Sequence, residues 1–329
     1  MSPAVAVDEL LDGLHVVTLP LRTRFRGVTE REVALVRGPR GWGEFAPFVE
    51  YAPQEAARWL DAAVEAAWQG WPEPRRARVP VNATVPAVPA ADVAEVIARY
   101  DGCTTAKIKV AERGQGEQDD LDRVAAVREA MGPDARLRVD ANGGWSLTEA
   151  VDVLTRLAPF GLEYAEQPCA DVHDLARLRV DLARRGVDVP IAADESIRKA
   201  EDPLEVARLE AADVVVVKVA PLGGVAHALE VVADCGLPAV VSSAIDSSVG
   251  LRAGVALAAA LPDLGHACGL GTGALLAADV SREPLLPAEG ALPVREVVVD
   301  PDLLARHAAP PTRVDWWRER VRAASAART

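Results

Sequence analysis

The chain has 329 residues, 50% of them hydrophobic and 26% charged, with a formal net charge of −13. That length and composition suffice for a large buried core, in one large barrel domain or two domains. The acidity argues against a nucleic-acid surface or an anionic membrane as partner, while leaving room for a local basic pocket that takes a small anion. The longest apolar run, Ala253 to Leu261, is too short to span a bilayer, and Asp8, Glu9 and Asp12 near the start do not form a basic-then-apolar leader. Four cysteines, at 103, 169, 235 and 268, stand far apart without a Cys-x-x-Cys pair, the pattern of buried free thiols in a reducing cytoplasm.

Residues 1–78 read as a small domain of their own. Strands are expected over 14–19 and 32–37, a turn at Pro39-Arg40-Gly41, and a further strand or loop from Gly41 to Glu44. Over 53–68, Ala56, Trp59, Leu60, Ala63, Val64 and Ala67 recur at helical spacing. Two loops mix cationic and aromatic residues: one from Arg24 to Gly27, the other from Phe48 to Tyr51. They read either as surface turns or as segments that close over a ligand.

From residue 79 short runs rich in Val and Ile alternate with helical patterns. The runs cover 79–85, 106–110, 137–140, 162–166, 190–194, 213–218, 238–242 and, more weakly, 266–268. Eight such units predict a (β/α)8-type barrel over 79–284. After Pro284 the pattern is irregular: residues 296–299 suggest a strand, and 316–327 a terminal helix within a segment, 285–329, that packs back on the N-terminal domain.

Lysine is scarce: among 36 basic residues it occurs only at 107, 109, 199 and 218. Arginine stays protonated in proteins, whereas a lysine amine can act as a base, so these few lysines are candidates for chemistry. Strand alternation points Lys107 and Lys109 to one face, where each is expected to lower the other's pKa. Lys199 reads as a surface residue.

One polar residue closes each barrel run: Lys109, Asp140, Glu166, Asp194, Lys218, then Ser242 and Ser243, at intervals of 31, 26, 28, 24 and 24 residues up to Ser242. Catalytic residues of such barrels gather at the C-terminal ends of the strands. Three carboxylates from adjacent strands repel one another unless a cation lies between them, and all-oxygen ligands favour Mg2+ over zinc. Lys109 and Lys218 flank that set, an arrangement suited to removing a proton next to a carboxylate. The stretch Gly269-Leu270-Gly271-Thr272-Gly273 offers amides to an anion or makes a tight turn.

The motifs Ala-Lys-Ile-Lys-Val (106–110), Arg-Val-Asp-Ala-Asn-Gly-Gly-Trp (138–145), Tyr-Ala-Glu-Gln-Pro (164–168), Ala-Asp-Glu-Ser (193–196) and Lys-Val-Ala-Pro-Leu-Gly-Gly (218–224) resemble the enolase superfamily, muconate-lactonising subgroup. Gly43-Glu44-Phe45-Ala46-Pro47 resembles its capping domain, so the likeness spans the chain. It implies a modified (β/α)7β TIM-like barrel with an α+β capping domain built from both chain ends. It further implies that Asp140, Glu166 and Asp194 bind Mg2+, with Mn2+ able to substitute. Lys109 would act as base and then as acid, Lys218 as the cation on the opposite face, and Lys107 as a positioning group beside Lys109. Ser242, Ser243, Gly269 and Gly271 would line the substrate pocket, with Arg24, Phe48 and Tyr51 on the capping loops. Val-Ser-Ser-Ala-Ile-Asp-Ser-Ser-Val-Gly (241–250) and Ala-Cys-Gly-Leu-Gly-Thr (267–272) point, by resemblance, to a syn dehydration of a succinylated hydroxycyclohexadiene carboxylate in menaquinone synthesis.

Two lysines on opposite faces also suit a racemase or epimerase of N-acylamino acids, which needs two bases. A dipeptide epimerase is disfavoured because no Asp-x-Asp pair follows the eighth run. A cycloisomerase and a catalytically inactive binding protein are the remaining alternatives, the last opposed by the intact lysine and carboxylate set.

Overall fold

In the first sheet alternate residues have different destinations. The computed structural model describes residues 5–25, 27–198 and 203–328; Lys199 lies outside them, as does Arg26 of the first loop. Strands β1 (His15–Phe25), β2 (Val28–Gly38) and β3 (Gly41–Phe45) form an antiparallel sheet in that order. Val17, Leu19, Val33 and Leu35 face the main core, whereas Val16, Ala34, Val36 and Phe45 face a second core. Burial on both faces explains why Val33 to Val36 is apolar without a break. The second core is completed by Trp59 and Leu60 of the helix Pro53–Val64 and by Trp317 and Val321 of the terminal helix Pro311–Ala326. The first of these helices stops short of the expected residue 68, because the chain widens into a π-helical turn over Glu65–Gln69. The free edge of β1 is covered from the other end of the chain, where Thr18 N donates to His307 O at 2.8 Å and Ala309 N to Val16 O at 2.9 Å.

The chain enters the barrel through β4 (Arg78–Pro80), and then contributes β5 (Ala83–Val85), β6 (Thr105–Lys109), β7 (Arg136–Asp140), β8 (Leu162–Glu166), β9 (Ile191–Ala193), β10 (Val214–Lys218) and β11 (Ala239–Ser242). Strands β5 to β11 make a seven-stranded parallel sheet in sequence order. The eighth position holds only Cys268 and Gly269. Cys268 bridges Val81 and Gly269 bridges Ser242, so this short stretch bonds to both edges and closes the ring. The fold is the modified barrel with an α+β cap. The run expected over 79–85 is divided, because β4 pairs antiparallel with β12 (Ala291–Pro293) outside the barrel. That pairing replaces the strand expected at 296–299, which is not a strand.

Outward-facing Ile108, Val139, Ala165, Val215 and Val241 join the main core beneath the surrounding helices. Inward-facing residues stack in layers: Lys109, Asp140 and Glu166 are successive register partners, as are Lys107, Arg138 and Tyr164 one layer below. On the other side of the bore Ala192, Val214, Val216 and Val240 pack with Tyr164 as a small apolar cluster. Below the mouth, one side of the barrel interior is thus charged and the other apolar.

Trp317 is buried, lies edge-on to Phe45 at 5.8 Å between ring centroids, and donates its indole N–H to Glu32 at 2.9 Å. Trp317→Ala is expected to destabilise the protein by about 3–5 kcal/mol, measured by denaturant unfolding. A change within about 0.5 kcal/mol, typical of a surface site, would show that the terminal helix is not part of the second core.

Candidate active site at the barrel mouth

Alternation on β6 sends both lysine side chains into the bore. Lys107 Nζ lies 2.9 Å from Glu166 Oε1 and 3.2 Å from Asp140 Oδ2, and Lys109 Nζ lies 2.5 Å from Asp140 Oδ2 and 2.7 Å from Asn142 Oδ1. Across the mouth Lys218 pairs with Asp194. With Cys268–Gly269 as the eighth position of the ring, β6 and β10 are four positions apart, so Lys109 and Lys218 stand on opposite sides, with the three carboxylates on the strands between them.

All three carboxylates are buried. Burial, and then repulsion from Asp140, push Glu166 up to about 7 against the pull of Lys107. Burial alone would also raise Asp140, but Lys109 and Lys107 outweigh it and hold that group well below the usual carboxylate range. Lys107 departs from the expectation that paired ammonium groups lower one another. Burial pulls it down, yet Glu166 and Asp140 prevail, and the ammonium is held above the ordinary lysine value. Each carboxylate is turned to a lysine here, and among the described residues no three acidic, histidine or cysteine side chains converge on one point. The three carboxylates on adjacent strand ends are nevertheless hard oxygen donors, a set whose chemistry would fit Mg2+ better than a softer metal.

Sequence reasoning missed several supports. Just past β7, Asn142 at φ 47° accepts from Lys109 and donates to Glu195 at 3.2 Å. Gln167, fully buried at φ 40°, joins the ends of β8 and β9: its Oε1 accepts from Asp194 N at 3.0 Å, and its Nε2 donates to Ser196 Oγ at 2.7 Å. Both belong to motifs visible in the sequence, but neither is ionisable, so charge counting passes over them. Beneath the mouth Arg138 donates to Glu163 at 2.5 Å and to Ala267 O at 2.7 Å, while His266 lies 3.0 Å from Glu163. Strand alternation could have placed Arg138 in the bore two residues before Asp140.

The expected pocket residues divide among four places. A cavity of about 440 Å3 brings Arg24 together with Lys109, Asn142, Phe25 and Arg113, and Phe25 lies beneath Lys109 Nζ, its centroid 5.5 Å away. A smaller one, about 30 Å3, places Ser242 beside Lys218. Ser243 is tied to Gly269 O at 2.8 Å and to Thr272 Oγ1 at 2.7 Å. Gly269 lies against Ser242, and Gly271 starts a buried turn against Tyr100. Phe48 and Tyr51 line neither cavity. They pack edge-on with Trp59 in the second core, and Arg320 holds the carbonyls of Phe48 and Tyr51 at 2.7 and 2.9 Å.

Residues 90–298 match the enolase C-terminal domain-like family, and residues 16–67 match the enolase N-terminal domain-like family. The o-succinylbenzoate synthase of Mycobacterium leprae is 59% identical over 96% of this chain and 92% of its own length. That of Mycolicibacterium smegmatis is 59% identical over 96% of both. The chain belongs to the o-succinylbenzoate synthase family of the enolase superfamily. Among solved structures, muconate lactonizing enzyme from Pseudomonas fluorescens superposes with a TM-score of 0.77 at 22% identity, covering 90% of this chain and 98% of that one. An N-succinyl Arg/Lys racemase from Bacillus cereus gives 0.74 at 20%, covering 90% and 97%. These two likenesses concern the fold, which this o-succinylbenzoate synthase family member shares with proteins named for other reactions.

Burial would raise Glu163, but the hydrogen bond from His266 and the charge of Arg138 win and bring it down to about 2. Its folded value lies below the ordinary one, so its contribution is complete above about pH 4.5 and is lost as the pH falls through about 2. Thermal unfolding across that range is therefore expected to show Glu163→Gln less stable than the parent at pH 5, with the gap closing towards pH 2. A gap that stays constant would remove the charge from the explanation.

Proposed function

We propose that the protein is an o-succinylbenzoate synthase, a hydro-lyase that converts a succinylated hydroxycyclohexadiene carboxylate to aromatic succinylbenzoate in menaquinone synthesis. Two observations carry the reading. Relatives of that name are 59% identical over 96% of the chain, and Lys109 and Lys218 stand on opposite sides of the mouth with three carboxylates between them.

Asp140, Glu166 and Asp194 would hold Mg2+, or Mn2+ in its place. When bound, the cation supplies electrostatic stabilisation for the substrate carboxylate as negative charge builds there. Lys109, as the free amine, takes the proton from the carbon next to the ring carboxylate. The carbon–oxygen bond then breaks, and the departing hydroxide receives that proton from Lys109, so one base on one face releases water. Formation of the aromatic ring drives the step. Lys218 stays protonated and faces the developing charge from the other side, while Lys107, held by Glu166 and Asp140, fixes the carboxylates beside Lys109. With Lys109 as the free amine, three carboxylates and the ammonium groups of Lys107 and Lys218 leave one negative charge, so a bound divalent cation makes the site net positive and attractive to an anion. The partner is thus a small anionic carboxylate, and the setting a reducing cytoplasm.

A second reading, racemisation of an N-succinylamino acid, is favoured by the opposed lysines alone, since proton removal from one face and return on the other needs both. Turnover with Mg2+ on the two substrates side by side separates them, and faster dehydration than racemisation is expected. The reverse ratio would make the protein a racemase. Lys109→Ala is expected to lower dehydration by at least about 10²–10⁴-fold with the fold retained. Near-parental turnover in that variant would refute the assignment of the base. Chelation should abolish activity and added Mg2+ restore it; activity that survives exhaustive chelation would remove the metal from the mechanism.

A further inference from the structure

The reaction leaves two stretches unexplained: Gly223-Gly224 following Lys218, and Ser247 to Gly250 following Ser242. Each receives a carboxylate from the capping domain. Glu65, in the π-helical turn, accepts from Val225 N at 2.6 Å and Ala226 N at 2.9 Å, the first amides of the helix Val225–Cys235. That helix has no side-chain cap from its own N-cap residue, Gly224. Glu44 on β3 accepts from Ser247 N at 3.2 Å, from the Ser247 hydroxyl, and from Gly250 N at 3.0 Å, where the helix Ser248–Ala260 begins. Unpaired amides and the positive end of the helix dipole make each of these a favourable seat for a carboxylate.

The two glycines record the same contacts. A Cβ on Gly224 would lie 2.7 Å from Glu65 Oε2, and one on Gly250 would lie 2.7 Å from Glu44 Cδ. Both glutamates are buried, so their amide partners are what make burial of these side chains tolerable. Glu44 also shares with Lys218, Ser242 and Asp246 the wall of the 30 Å3 cavity, whose remaining lining is mainly apolar. On the other side of the mouth the cap reaches Lys109 through Phe25.

We propose that Glu44 and Glu65 are positioning residues for the Lys218 side of the active site. Reaching across from the capping domain, they fix the segments that follow β10 and β11, and so hold Lys218 and Ser242 at a set distance from Asp194. The proposal rests on the reading of Lys218 as the cation of the second face. It gives the capping domain a role in the chemistry distinct from covering the substrate.

The test compares Glu44→Ala, Glu65→Ala and the corresponding Gln variants with Glu32→Ala. Glu32 holds Arg313 and Trp317 in the second core, away from the site. With Mg2+ present, the Ala variants are expected to lose about 10- to 100-fold in kcat on the cyclohexadiene substrate, as a displacement of about 1 Å would cause. Amide hydrogen exchange should speed up over 219–232 in Glu65→Ala and over 243–256 in Glu44→Ala. The Gln variants keep an acceptor oxygen and should recover part of the rate; they also carry the test if an Ala variant fails to fold. Glu32→Ala should lose thermal stability at unchanged kcat. Ala variants with fast exchange but parental kcat would overturn the positioning role, as would amides that remain protected. An inactive parent enzyme would instead defeat the reaction assignment, with hydrogen exchange still judging the contacts by themselves.

Discussion

Three buried carboxylates share one end of the barrel's bore, and the rest of the structure is arranged around that constraint. Asp140, Glu166 and Asp194 are almost wholly buried, and at such sites an uncompensated ion costs several kcal/mol. Compensation comes first from Lys107, Lys109 and Lys218 on the flanking strands. It is imperfect at Glu166, whose proton affinity is raised by burial and by Asp140. A second tier lies below: Arg138 is wholly buried, yet Glu163, Ala267 O and the Tyr164 ring receive it. This polar wedge has to be confined to one side of the bore. The apolar cluster of Ala192, Val214, Val216 and Val240 supplies the dry packing opposite.

Such a site needs walls that do not move, and short strands alone do not provide them. The segments beyond the strand ends are fastened by side chains that take no part in the charge balance. Gln167 joins two strand ends, and Asn142 holds Lys109 from an αL backbone position. The capping sheet adds its own constraint. With both faces buried it cannot tilt without opening either the main core or the second core, so what it presents to the barrel is presented rigidly.

The legible part of this molecule was the part written as repetition. Eight apolar runs at nearly even spacing disclosed the barrel, and polar residues at their ends disclosed the mouth, because strand geometry converts spacing into direction. Where a residue's role depends on partners distant in sequence, the pattern failed. Phe48 and Tyr51 are aromatic and lie in a loop, and nothing in that pattern discloses that they pack with Trp59 and are held by Arg320. Residues 296–299 have strand composition but no strand, since β4 finds its partner at 291–293 instead. Lys107 was expected to be lowered by its neighbour, an argument that counted the nearest like charge and omitted two carboxylates brought in from other strands.

The same distinction bears on substrate choice. Proton removal beside a carboxylate needs a base, a cation and a set of metal ligands, and these are compatible with dehydration, racemisation or cycloisomerisation alike. Selectivity must come from groups that touch the part of the substrate that does not react. The 440 Å3 cavity beside Lys109 is walled by Arg24 and Phe25 of the capping hairpin and by Glu112, Arg113 and Gln115 of the segment after β6. Arg24 and Arg113 share that wall with Asp92 and Glu112, and the hairpin that carries Arg24 belongs to the capping domain. The barrel thus carries the lysines and carboxylates, and the capping hairpin supplies part of the wall beside Lys109.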